Sequence, residues 1–296
     1  MNWITYEING KKKLGALLPD GKQIVSLTAL GLDDDYKDMV DFIRGVSDAE
    51  LALAEKMWKM PHDAALSAED VKILSPITRP IHDILCVGIN YHSHQEETKE
   101  MFDEANKKKE AQHIYFTKRA CRITGHNEAI PSYPGLDDEM DYEVELAVII
   151  GKECRDIKPE EAEDYIFGYS VFNDVTARGV QRKHLQWVRG KSLDGYSVMG
   201  PAIVHKSQLP MPLELDLSCR INGELRQQSN TRLLIADIPT IISELSQGMT
   251  LEPGDIIATG TPSGVGMGFN PPKYLKRGDE IVCEVEGVGV LKNIVE

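Results

Sequence analysis

The chain reads as a mostly β fold with a minority of helix, an α+β protein built from a small N-terminal unit (residues 1–77) and a larger β-rich unit (residues 78–296). Three observations predict this. Short runs of β-branched and apolar residues recur from Ile84 to the C-terminus. The segment LSPITRPIHD, with Pro76 and Pro80, sets them apart from what precedes, because proline interrupts regular structure and biases its neighbour toward extended conformations. A chain of 296 residues is also long enough for one large domain plus a small one.

In the first unit, WITYEI alternates as a strand does, and Asp33 to Arg44 and Asp48 to Met60 carry apolar residues at helical spacing. No recognisable chemistry lies there. In the second, the runs ILCVGI, YEVELAVII, YSVFNDV, LDLSCRI, DIIATG and EIVCEVEGVGVL each predict a strand. Two helices stand among them. PEEAEDYIFG has an early proline and acids in its first turn, and DIPTIISELSQG stops at Gly248. The chain shows no internal repeat or low-complexity tract.

Composition narrows the function classes. With 42% apolar and 27% charged residues, the chain lies between the disordered and membrane extremes. The N-terminus MNWITYEINGKKK lacks an apolar stretch behind basic residues, and no segment approaches the roughly 18 apolar residues of a spanning helix, so a cytoplasmic protein is expected. Five widely spaced cysteines (Cys86, Cys121, Cys154, Cys219, Cys283) form no CxxC pair, and each is expected to be a small buried hydrophobe. A net charge of −14 disfavours nucleic acid and anionic membranes as partners. An anionic substrate would therefore need a locally positive site.

The candidate chemistry starts at MDYEVELAVIIG. Glu143 and Glu145 are two residues apart on an expected strand, which places both carboxylates on one face with Ala147 and Ile149, while Tyr142, Val144, Leu146, Val148 and Ile150 take the other. Apolar residues on both faces predict two carboxylates half buried together. Like charges so placed oppose each other's ionisation unless a cation intervenes, although an edge strand whose acids face water fits the same spacing. A third acid, Asp174, ends the apolar run GYSVFNDV. Three carboxylates without His or Cys nearby suit Mg²⁺ or Mn²⁺ rather than zinc, while an Asx turn or helix cap before TAR is the alternative reading of Asp174.

These residues and their surroundings resemble the fumarylacetoacetate hydrolase family. The match runs from about Ile84 to the C-terminus through VGINYHSHQEE, YFTK, DYEVELAVIIGK, NDVTARGVQ, GKSLDG with MGP, NGELRQ and GDIIATGTPSGVG, in order. The resemblance implies a mixed β-sandwich roll, a Mg²⁺ or Mn²⁺ cofactor and a homodimer. It also implies metal ligands at Glu143, Glu145 and Asp174, and a dyad of His94 and Glu97 that activates water or moves a proton. His92 and Glu96 fall out of register with that pattern. Three-residue spacing on a short helix lets His94 and Glu97 meet, and an acid beside a histidine raises its basicity.

By the same resemblance, Arg178 and Gln181 contact substrate, Lys191 in RGKSLDG binds a substrate carboxylate and stabilises an enolate, and Thr261 lies near a substrate carboxylate. A cationic cluster of this kind answers the charge puzzle. The loop TGTPSGVGMGF is expected to close the pocket and to leave backbone N–H groups for an oxyanion. Neither GKS at 190–192 nor this loop is a nucleotide motif, since Leu185 stands where a Walker glycine would and the G-x-G-x-x-G spacing is absent. The stretch between Glu97 and His113 carries no readable specificity code.

The expected function is metal-dependent C–C cleavage of a pyruvate-containing small acid, by acylpyruvate or diketo-acid hydrolysis or by oxaloacetate decarboxylation. The long bacterial members with a similar N-terminal extension suggest the decarboxylases. Oxaloacetate tautomerisation or isomerisation of a 2-hydroxy-diene-dioate shares the same enolate chemistry and is the nearest competitor. A metabolite-responsive protein-binding role is the reading of another class.

Overall fold

A computed structural model describes residues 1–63, 65–98 and 112–296. The segment 99–111, which takes up most of the stretch lacking a specificity code, lies outside the described residues. Among those described, the backbone forms one large mixed sheet, a smaller second sheet and a short ribbon. In spatial order the large sheet runs Leu66–Ser67, Gln23–Ser26, Lys11–Leu17, Asn2–Ile8, Ser197–His205, Ile166–Asp174, Val144–Ile150, Ile256–Ala258, Ile84–Gly88 and Ile114–Lys118. The second sheet runs Glu224–Asn230, Asp216–Ile221, Glu280–Val285, Gly289–Val295 and Ala129–Ile130. The ribbon pairs Met140–Asp141 with Thr176–Ala177.

Strands of residues 1–77 belong to the same sheet as those that follow. Asn2 pairs with Val204 and Trp3 with Ile203, antiparallel, so backbone hydrogen bonding is continuous across the proline connector. Packing repeats the point. Trp3 lies 4.7 Å, ring centre to ring centre, from Phe42 on the first helix, and Phe42 meets Phe167 edge-on at 6.3 Å.

The strand Val144–Ile150 is buried along its whole length, which explains its near-continuous apolar sequence. Side chains alternate between two cores. Val144, Leu146, Val148 and Ile150 face a cluster that includes Leu217, Cys219, Ile281 and Leu291 of the second sheet. Ala147 and Ile149 join Trp3, Phe42 and Phe172 on the other side. Each fully buried aliphatic chain here contributes roughly 1.5–3 kcal/mol, so the strand is a rigid base for a site at its end.

Three local expectations are corrected. The first helix spans Met39–Gly45 rather than starting at Asp33: three consecutive aspartates repel one another, and the Asp38 carboxylate caps the helix by accepting the Asp41 N–H at 2.9 Å. Glu143 precedes the strand proper, because the chain breaks pairing at Tyr142 and Glu143 between Met140–Asp141 and Val144–Ile150. Cys121 is exposed, whereas the other four cysteines are buried. The second helix, Asp48–Trp58, begins with a Ser47–Glu50 capping box. No helix among the described residues is long and apolar enough to cross a membrane.

Candidate metal centre and active site

Glu143, Glu145 and Asp174 converge where the strands Val144–Ile150 and Ile166–Asp174 end side by side. Val144 pairs with Asn173, and one step further the Asp174 N–H donates to the Glu143 carbonyl at 2.9 Å. The two glutamates point to one side as the two-residue period dictates. Carboxylate oxygens of all three acids lie within 4.8 Å of one another. They are fully rather than half buried: Glu143 is 4% exposed, Glu145 2% and Asp174 0%.

Cations surround this cluster. Lys191 Nζ donates to Glu143 Oε2 and to Asp174 Oδ2, both at 2.7 Å. Lys118 Nζ donates to Asp174 Oδ1, and to the carbonyls of Val175 and Tyr196 at 2.9 Å each. Arg178 Nη2 forms a buried ion pair with Glu143 Oε1 at 2.6 Å. Asp141, completely buried, accepts the Arg178 Nε–H at 2.9 Å, and Arg178 Nη1 donates to Gln181 Oε1 at 3.2 Å.

The electrostatics divide the acids unequally. Burial alone would raise the Glu143 carboxyl, yet Lys191 and Arg178 outweigh it and hold the group at about 2. Glu145 behaves oppositely. Burial and the nearby Asp174 and Glu143 push it well above the ordinary carboxylate range, with the Gly260 N–H at 2.7 Å a weaker counterweight. Burial lowers the Lys118 ammonium, while Asp174 and Glu143 raise Lys191 against its burial.

The donor set fits a hard divalent cation: three carboxylates, all oxygen ligands, with one whose ionisation is opposed by its neighbours. Counted together, four buried carboxylates (Asp141, Glu143, Glu145, Asp174) face three buried cations (Lys118, Arg178, Lys191). A dication held there would shift the balance of the site toward positive. It then suits an anionic substrate inside a protein whose net charge is −14.

Across the cavity stands the short helix His92–Glu97. His94 Nδ1 and Glu97 Oε2 are 3.0 Å apart, and His94 is 6% exposed while His92 and Glu96 face solvent. Because Glu97 engages Nδ1, the other ring nitrogen is the one left for a proton transfer. Glu97 Oε1 also accepts the Gly264 N–H at 2.8 Å, tying the helix to the glycine-rich loop. A narrow cavity here, about 20 Å³, is lined by His94, Glu143, Glu145, Arg178, Gln181 and Lys191, together with Phe116, Trp187, Thr261 and Met267.

The glycine loop closes this cavity, and four of its amides are already engaged. Gly260 N–H is bound to Glu145, Gly264 N–H to Glu97, and the Gly266 and Met267 N–H groups to Asp141 at 2.6 and 3.1 Å. These donors position carboxylates and are not left for an oxyanion. Thr261 lines the cavity, yet its hydroxyl donates to the Val144 carbonyl at 2.9 Å and accepts from Gln227 at 2.8 Å. Its hydroxyl proton is therefore not offered to a substrate carboxylate. Lys118, Asp141 and Gln227 are not among the residues that the sequence pattern singles out. Lys118 stands in YFTK and Asp141 in MDYE, both within motifs already singled out, so position in the motif was the available signal.

Comparison with known proteins gives the same picture from outside. Residues 83–296 match the family model described as fumarylacetoacetate (FAA) hydrolase C-terminal. Oxaloacetate tautomerase YisK of Bacillus subtilis is 46% identical over 227 residues, covering 77% of this chain and 74% of that protein. A fumarylacetoacetate hydrolase from the psychrophile Exiguobacterium antarcticum superposes with a TM-score of 0.82 at 38% identity, covering 100% of this chain and 99% of that one. Maleylpyruvate hydrolase from Sphingobium sp. SYK-6, solved with manganese(II) and pyruvate, gives 0.77 at 30% identity, with 100% and 98% coverage.

Proposed function

Because this chain is an enzyme of the fumarylacetoacetate hydrolase family, we propose that it interconverts the enol and keto forms of oxaloacetate or a similar small 2-oxo dicarboxylate. Glu143, Glu145 and Asp174 hold Mg²⁺ or Mn²⁺ in this reading, and the enzyme works as a cytoplasmic homodimer. The observation that carries it is one small cavity with the proton-carrying His94–Glu97 pair on one side and a cation-compensated carboxylate triad on the other. Similarity to a tautomerase at 46% identity supports reading the reaction as tautomerisation before C–C cleavage.

When bound, a divalent cation supplies Lewis acidity toward the carboxylate and keto oxygens of a 2-oxo acid. The chain's own residues do the rest. Arg178, ion-paired with Glu143 and held in orientation by Asp141 and Gln181, supplies positive charge toward a substrate carboxylate. Lys191 balances negative charge that develops on the substrate's keto oxygen. The free nitrogen of His94 takes the proton from the enol hydroxyl and returns it to the adjacent carbon, or the reverse, while Glu97 keeps the ring oriented. Phe116 and Trp187 pack edge-on at 5.2 Å and shield one wall from water.

Cleavage is the second reading, supported by the likeness to a maleylpyruvate hydrolase solved with pyruvate. The same residues would stabilise the departing pyruvate fragment, with His94 directing water at the distal carbonyl. One experiment separates the two: oxaloacetate and a panel of acylpyruvates, each with Mg²⁺, Mn²⁺ or EDTA, followed both by enol absorbance and by pyruvate release. Metal-dependent enol loss without matching pyruvate supports tautomerisation. Matching pyruvate supports cleavage, and no metal-dependent turnover on any substrate defeats both.

A further inference from the structure

Glu143 and Glu145 sit where strand pairing runs out, and the backbone between them is held by side chains. On the edge of Val144–Ile150 that leads toward the glycine loop, the strand Ile256–Ala258 pairs only from Ile149 to Ala147. Beyond that point lies Val144, between the two glutamates and 0% exposed, whose N–H and C=O must be satisfied in another way. The Val144 N–H donates to Gln227 Oε1 at 3.0 Å. Gln227 Nε2 donates to Thr261 Oγ1 at 2.8 Å and to the Pro262 carbonyl at 2.9 Å. Thr261 Oγ1 donates in turn to the Val144 carbonyl at 2.9 Å, which closes a ring.

Chemistry fixes the direction of every bond in this ring. A peptide N–H only donates and the Pro262 carbonyl only accepts, so the Gln227 amide has one orientation, and the Thr261 hydroxyl, receiving from Nε2, gives its own proton to Val144. Gln227 and Thr261 are both buried, so water does not compete for these bonds. The ring thereby clamps the two peptide groups that join Glu143 to Glu145. Its neighbours extend the hold to the glutamates themselves. Gly260, next to Thr261, donates its N–H to Glu145 Oε2 at 2.7 Å, and the Glu143 N–H donates to Asn173 Oδ1 at 3.0 Å. Groups that orient metal ligands in this way change metal affinity without touching the ion.

On the reading of Glu143, Glu145 and Asp174 as metal ligands, we propose that Gln227 is a positioning residue, acting with Thr261 as one unit that sets the spacing of the two glutamates. Mn²⁺ titration calorimetry of the full-length protein without substrate is the test, with Glu143→Gln marking binding at this site. Gln227→Met should weaken Mn²⁺ binding about tenfold or more, and so should Thr261→Val, which keeps the shape and removes the hydroxyl. Thr261→Ser retains the ring and should stay within about threefold of the parent. The double variant Gln227→Met/Thr261→Val should be at most about threefold weaker than the weaker single variant, because either change alone already opens the ring. Should Gln227→Met fail to fold, the contrast between Thr261→Val and Thr261→Ser decides alone. Parent-like affinity in Thr261→Val, equal losses in Thr261→Val and Thr261→Ser, or losses that multiply in the double variant overturn the proposal while the metal reading stands. A parent that binds no Mn²⁺, or a Glu143→Gln variant that binds it as the parent does, overturns both.

Discussion

Asp141 accepts the Nε–H of Arg178 at 2.9 Å while its two oxygens also accept the N–H groups of Gly266 and Met267. One fully buried carboxylate thus fixes both the guanidinium offered to substrate and the loop that closes the cavity. Asp141→Asn keeps the shape but removes the charge and turns an acceptor into a donor. It should raise KM and lower kcat/KM by about ten- to a hundredfold, with a stability loss of about 3 kcal/mol in urea unfolding. Unchanged KM with unchanged stability would show that Asp141 orients nothing.

Lys191 bridges Glu143 and Asp174 at 2.7 Å to each, so it competes for the oxygens that a cation would use. Lys191→Met should therefore slow turnover by about a hundredfold without weakening Mn²⁺ affinity, because removing a neighbouring ammonium favours a second cation. Calorimetric Mn²⁺ titration beside steady-state kinetics measures both. Lost Mn²⁺ binding would contradict the role given to Lys191.

Metal affinity should fall with pH because of Glu145. Its carboxyl is raised well above 4.5 by burial, Asp174 and Glu143, so below that raised pKa a proton occupies the oxygen that the metal needs. Glu143, held at about 2, stays ionised throughout and adds no slope in this range. Titration with Mn²⁺ in two buffers of different ionisation enthalpy should show release of about one proton per ion at a pH below the raised value. Proton uptake, or affinity that strengthens as pH falls, would rule this out.

His94→Ala should slow proton transfer by about 10²–10⁴-fold while Mn²⁺ affinity stays within about twofold, since His94 moves a proton and is not a ligand in this account. If decarboxylation of oxaloacetate survives the substitution while tautomerisation does not, the assignment to proton transfer stands. An equal loss of Mn²⁺ affinity would instead make His94 part of the metal shell.

Strand spacing brought Glu143 and Glu145 together and an apolar run led to Asp174, but only the ordered family motifs chose metal ligands over an edge strand facing water or a turn. His94 and Glu97 came from the family pattern, with their three-residue helical spacing as support. Lys118 was not legible. A lysine ending the strand Ile114–Lys118 looks like a solvated terminus until the carbonyls of Val175 and Tyr196, more than fifty residues away, bury it. Asp141 hid in the acid-rich DDEMDYE, which reads as surface. The loop amides have no side-chain signature at all; only the demand for glycine hints at them, as at Gly264, where φ is +99° and an added Cβ would fall 1.9 Å from the Arg226 carbonyl oxygen. Nor did composition reveal that the N-terminal strands extend the catalytic sheet, because edge-to-edge pairing between Trp3 and Ile203 carries no local pattern.

The central claim is that three buried carboxylates bind a divalent metal on which oxaloacetate tautomerisation depends. Its most direct test compares the parent protein with Glu143→Gln for both Mn²⁺ binding and the rate of enol-oxaloacetate decay. The account predicts that the parent binds about one ion per chain and accelerates the decay, and that the substitution and EDTA each abolish the acceleration. Decay that stays enzyme-accelerated in EDTA, or a Glu143→Gln variant that keeps both Mn²⁺ and activity, would contradict it.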